Sequence, residues 1–124
     1  MKKILVGLIF IVGSISMTMA QEKHQVRVDM DRKMVKEQVE SGNLEFFFNK
    51  DIDAGEVRRN AQYYISYFDV VYYPETGKAE IRFKDKSRMS VKVVERFLTS
   101  NHISEVLLGK EILRSTDFVN WLIN

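Results

Sequence analysis

The chain has two histidines, His24 and His102, and no cysteine, which limits the chemistry it can perform. Thiolates are the ligands that select soft metals and the nucleophiles of cysteine enzymes, so both classes lose their usual side chain. The soft ligands left are His24 with Met30 and Met34, two methionines four residues apart, and a copper ion outside the cytoplasm is the cargo such a set would suit. Methionine more commonly fills apolar surface, so no metal ligand and no cofactor is expected, and copper handling through His24, Met30 and Met34 stands as the alternative. Asp51, Asp53 and Glu56 are the densest acidic group. They are too few for a calcium loop, and helix capping accounts for Asp53 and Glu56. No Gly-x-Ser-x-Gly elbow or triad pattern is present, and the glycines form no phosphate-cradling loop, so no catalytic residue is expected. His102, next to Asn101, reads as a cation or cap at a helix end.

What remains is aromatic. Tyr63, Tyr64, Tyr67 and Phe68 are followed at once by Tyr72 and Tyr73, and one helix and one strand cannot turn all of them inward. Tyr63 and Tyr67 would share a flank of the helix, and Phe47 points opposite to Phe46 and Phe48. Exposed tyrosine gives rigid contact area at low entropic cost, so Tyr63, Tyr67, Tyr72 and Phe47 are the candidate interaction residues.

The elements that must position these residues follow from periodicity. Val26, Val28 and Met30 alternate like a short strand. Met34, Val35 and Val39 suggest an amphipathic helix ending at Ser41-Gly42. Leu44, Phe46 and Phe48 share one face of a strand. Asp53 opens a helix expected over 54–68, with Val57, Ala61, Tyr64, Ile65 and Phe68 as its buried stripe. Residues 70–73 and 79–84 read as a hairpin, with Pro74 at the first corner and Gly77 supplying positive φ. Ser87 or Ser90 caps a second helix carrying Met89, Val91, Val94, Phe97 and Leu98 and closed by Asn101 in a left-handed position. Ile103–Leu108 is the last core strand, and Thr116-Asp117 starts a terminal helical turn on which Phe118, Trp121 and Leu122 pack back. From Asn43 the order is strand, helix, strand, strand, helix, strand. The expected fold is therefore α+β: a ferredoxin-like β-α-β-β-α-β sandwich of four antiparallel strands with two helices on one face, plus an N-terminal extension and a short C-terminal helix.

Residues 43–108 resemble the heavy-metal-associated domain family of copper chaperones and metal-pump N-terminal domains. That family carries Gly-Met-x-Cys-x-x-Cys at the start of its first helix, and Asp51-Ile52-Asp53-Ala54-Gly55-Glu56-Val57 is the matching stretch here. Ile52 takes the Met position, Asp69-Val70 resembles the family's Gly-Val, Ala79-Glu80-Ile81 its third strand, and Asn101-His102 falls where Gly-Tyr often sits. Ala54 and Val57 stand where the two cysteines belong, so the resemblance implies the fold and not the metal transfer.

The first twenty residues read as an export signal: Met1-Lys2-Lys3, then the apolar run Ile4–Ile15, then small residues at Thr18 and Ala20, with cleavage expected before Gln21. The run is short of the roughly 20 apolar residues a spanning helix needs, so no membrane insertion is expected after cleavage. Without cysteine there is no lipid attachment, and a periplasmic or secreted product follows. Cleavage removes Lys2 and Lys3, leaving 19 − 2 = 17 basic residues against 17 acidic ones, which gives no net field for nucleic acid. The expected organisation is signal peptide 1–20, extension 21–42 and ferredoxin-like domain 43–124. The expected function is an exported, non-catalytic, metal-independent binding module for a protein partner or for self-association.

Overall fold

The structure, a computed structural model, describes residues 21–124; the expected signal peptide and its cleavage site's upstream half lie outside the described residues. The elements are β1 (Gln25–Val28), α1 (Arg32–Glu40), β2 (Asn43–Phe48), α2 (Ala54–Gln62), β3 (Phe68–Tyr73), β4 (Lys78–Phe83), α3 (Arg88–Ser100), β5 (Glu105–Leu108), β6 (Glu111–Arg114) and α4 (Ser115–Ile123). The fold is α+β, with one open mixed sheet of six strands in the order β3-β4-β2-β1-β5-β6.

Local chemistry places most of the helix ends. Asp31 caps α1 by accepting from the Met34 amide at 2.9 Å, and Gly42 at φ +96° closes it. Asp53 caps α2 through the Gly55 amide at 2.9 Å, and Ser87 caps α3 through the Ser90 amide at 3.2 Å. In the β3–β4 turn both the Thr76 and Gly77 amides donate to the Tyr73 carbonyl, which leaves Pro74 at the first corner as expected. Gly77 has φ +82°, and a Cβ there would collide with the Phe48 carbonyl oxygen, so glycine is required on two counts.

The expected four-stranded antiparallel sheet is corrected by β1. β2 pairs antiparallel with β4, and β4 with β3, as the split β-α-β arrangement requires. The fourth pairing of that arrangement is missing because β1 lies between β2 and β5. Those two strands run in opposite directions, so a strand inserted between them must be antiparallel to one and parallel to the other. β1 is antiparallel to β2 and parallel to β5. Residues 21–42 are thus a central part of the sheet rather than an appendage, and Val26 is fully buried. A sixth strand, β6, extends the far edge through a two-residue turn whose first residue, Gly109, has φ +62°.

All four helices contribute to one core on one side of the sheet. Leu44, Phe46 and Phe48 of β2, Phe68 and Tyr72 of β3 and Val106 and Leu108 of β5 pack with Val35, Val57, Phe97 and Phe118 from the helices. Phe46 meets Phe118 edge to face at 5.9 Å, and Phe48 meets Phe97 at 6.3 Å. The C-terminal helix is tied down by cations: Arg32 and Lys36 lie over the Trp121 ring at 4.8 and 5.1 Å, and Arg88 donates to the Ile123 carbonyl at 2.6 Å. The opposite side of the sheet carries no helix.

Candidate functional site

α2 is shorter than the stripe from Val57 to Phe68 predicts. It stops at Gln62, and residues 63–67 turn before β3 begins at Phe68. The Tyr63 and Tyr64 amides already bond three residues back, to Asn60 and Ala61, which tightens the last turn. The buried stripe is therefore Val57 and Ala61 alone within the helix, and Ile65, expected inside, is 42% exposed.

This turn faces the outer side of α3 across an open groove of about 900 Å³. Tyr63 is 74% exposed at its rim, while Tyr64 and Tyr67 are partly buried and pack against the core. The Tyr64 ring sits 6.2 Å from Phe68, and its hydroxyl donates to the Arg96 carbonyl at 3.3 Å, which fixes one wall to the other. From α3 come Met89, Lys92 and Arg96. Met89 was expected in the core stripe, but Ser90, Val91, Val94, Phe97 and Leu98 fill that face and leave Met89 59% exposed. Glu95, also at the groove, accepts from the Thr116 hydroxyl at 2.7 Å and is committed to α4.

The end of α3 braces the groove. Asn101 is buried and caps α3, its amide donating to the Phe97 carbonyl at 2.9 Å and its oxygen accepting from Asn60 of α2 at 2.9 Å. The left-handed position expected at Asn101 falls one residue later, at His102 with φ +62°. Its amide bonds to Thr99 and that of Ile103 to Leu98, the two-bond closure in which glycine is usual.

The other two candidate residues lie elsewhere. Tyr72 is only 6% exposed, its ring edge-on to Phe48 at 5.9 Å, because β3 starts at Phe68 and alternation then turns residue 72 inward. Burial pushes its phenol pKa up, against a smaller opposite effect of Arg58. Tyr72 therefore offers no surface to a partner. Phe47 lies on the helix-free side, as alternation predicts, with the Arg27 guanidinium over its ring at 4.7 Å and a shallow depression of about 480 Å³ between it, Tyr73 and Lys78. Lys78 in turn lies 5.4 Å above the Tyr73 ring and 3.1 Å from Glu80, which also pairs with Arg82 at 3.1 Å. The hydrogen bond from Lys78, with a smaller one from Arg82, holds the Glu80 carboxyl below its usual range, and the same bond raises Lys78.

The alternative copper ligands are not brought together. His24 and Met30 flank β1 on opposite ends, and four extended residues span about 13 Å. His24 instead meets Glu105 at 3.2 Å, and Glu105, which also accepts from Gln25 at 2.8 Å, is held below the ordinary carboxylate range first by Gln25 and then by His24. Met30 packs on the core and Met34 is 51% exposed. Among the described residues no three His, Cys, Asp or Glu side chains are grouped to hold a metal ion, and no helix is long and apolar enough to cross a membrane.

Of the expected contact residues, Tyr63 and Tyr67 line the groove and Phe47 lies on the helix-free face, whereas Met89, Lys92 and Arg96, which also line the groove, were not among them. The signal for them was present: with Ser90 and Val91 opening the buried face of α3, positions 89, 92 and 96 fall on its outer flank at helical spacing. Compared with known proteins, the chain matches no family model, no curated protein and no solved structure.

Proposed function

We propose that this protein is an exported, non-catalytic binding module whose contact surface is the groove between the 63–67 turn and α3, and that its partner is a protein. One observation carries the reading: Tyr63 and Met89, two large side chains at 74% and 59% exposure, stand on one groove instead of being scattered. Clustered exposed aromatic and Met side chains with fixed walls behind them are what interface hot spots require. In this reading the heavy-metal-associated resemblance concerns the shape of the segment from β2 to β5 and not a cargo.

The test is a benzophenone side chain placed at position 63 and, as control, at position 33 on α1, with irradiation in the cells that export the protein. A discrete adduct at 63, missing at 33 and lost when Tyr67→Ser is added, supports the groove as the contact surface. Equal adducts at both positions, or none at 63, overturn it. Light scattering of the purified protein at high concentration separates a foreign partner from a second copy.

A further inference from the structure

Two cations of α3 give the groove a positive edge. Lys92 and Arg96 are exposed, lie one helical turn apart and make no ion pair among the described residues, whereas Glu95 between them is held by Thr116. The groove therefore carries two cations without an ion pair beside an aromatic wall, against the single carboxylate of Glu95, which keeps its charge while accepting from the neutral Thr116 hydroxyl.

Resting on the reading of the groove as a protein-binding surface, we infer that its occupant is an extended acidic segment of the partner, with carboxylates two residues apart and apolar side chains between them. The spacing argument is direct. Side chains four apart on a helix have Cβ atoms about 6 Å apart. Alternate side chains of an extended chain rise about 6.8 Å on one face, so two carboxylates reach Lys92 and Arg96 together. The intervening apolar side chain then meets Tyr63 on the facing wall. Arg96 gives the more directional contact, since its planar fork pairs a carboxylate through two hydrogen bonds.

The probe is a fluorescein-labelled octapeptide of alternating Glu and Leu, with a Lys-Leu octapeptide of equal length as control. Fluorescence anisotropy and amide shifts of the labelled protein are followed during titration. The expected result is binding of the Glu-Leu peptide with shifts centred on Tyr63, Tyr67, Lys92 and Arg96, weakened by added salt and at least tenfold by Lys92→Glu with Arg96→Glu. Both substitutions sit on exposed positions, and an unchanged melting temperature shows that the fold is kept. Equal affinity for the Lys-Leu peptide, shifts on the helix-free face, or unchanged binding by the double variant overturns the inference. If the Glu-Leu peptide fails while the position-63 adduct persists, the acidic chemistry is wrong and the binding surface stands. If both fail, the reading of the groove falls with it.

Discussion

The two sides of this molecule treat aromatic rings and charges in opposite ways. On the helix-free face of the sheet, Phe47 and Tyr73 are covered by the protein's own cations, Arg27 and Lys78, and those cations are themselves paired, Arg27 with Asp29 at 2.6 Å and Lys78 with Glu80 at 3.1 Å. At the groove, Tyr63 has no cation over it and Lys92 and Arg96 have no carboxylate, among the described residues. A surface whose groups satisfy one another gains little from a partner, because every new contact must first break an old one. At the groove the Tyr63 ring and the Lys92 and Arg96 charges have no such partner to give up. Cations from the helices also reach both edges of the sheet, which would otherwise invite further strands: Arg58 of α2 donates to the Tyr72 carbonyl on edge strand β3, and Arg32 of α1 pairs with Glu111 on edge strand β6.

The comparison can be broken from either side. The largest effect is expected for Gly77→Ala, which forces a Cβ into the Phe48 carbonyl at positive φ and disturbs the hairpin beneath the sheet-face aromatics; a loss of about 3 kcal/mol in denaturant unfolding is expected. Asn101→Ala strikes the other side. It removes the buried link to Asn60 and the Phe97 carbonyl, costs about 2 kcal/mol, and weakens Glu-Leu peptide binding while leaving the sheet-face chemical shifts in place. His102→Gly should raise stability by about 1 kcal/mol, because histidine holds a left-handed conformation that glycine adopts freely. The smallest and most diagnostic change is in pH dependence. Glu80 has a folded pKa below its ordinary 4.5, so its contribution is present above that value and lost as pH falls through the lowered folded one. Lys78 is raised above 10.5, so its part is complete below that and lost as pH rises through the folded value. Lys78→Met should flatten both limbs of the stability profile measured by denaturant unfolding across pH.

Local structure was legible where one residue decides it. Asp53, Ser87, Gly42 and Gly77 each stand where a cap or turn demands that side chain or its absence, and each is found there. Long-range choices were not. Val26 and Val28 announce a strand, but nothing in their alternation says that its neighbours are β2 on one side and β5 on the other. β6 was missed because Glu111–Arg114 is an edge strand with no buried residue, so its pattern carries no hydrophobic period. The end of α2 was misplaced because Tyr64 and Phe68 do pack inward, from a turn and a strand instead of the helix that their spacing implies. The tyrosine half of the groove was readable from aromatic crowding. The basic half depended on which flank of α3 the core leaves free and on Glu95 reaching Thr116 rather than Lys92 or Arg96, a contact between residues 21 positions apart.

The placement of β1 has a bearing on how the chain assembles. Its partner on one side, β5, lies 80 residues downstream, with Gln25 opposite Glu105. Until that seam forms, the β3-β4-β2-β1 ribbon ends in a raw margin and the β5-β6 pair has nothing to join, so two incomplete pieces wait on one short stitch. Pairings of such separation form slowly, and a chain of this design stays open until its beginning has met its far end.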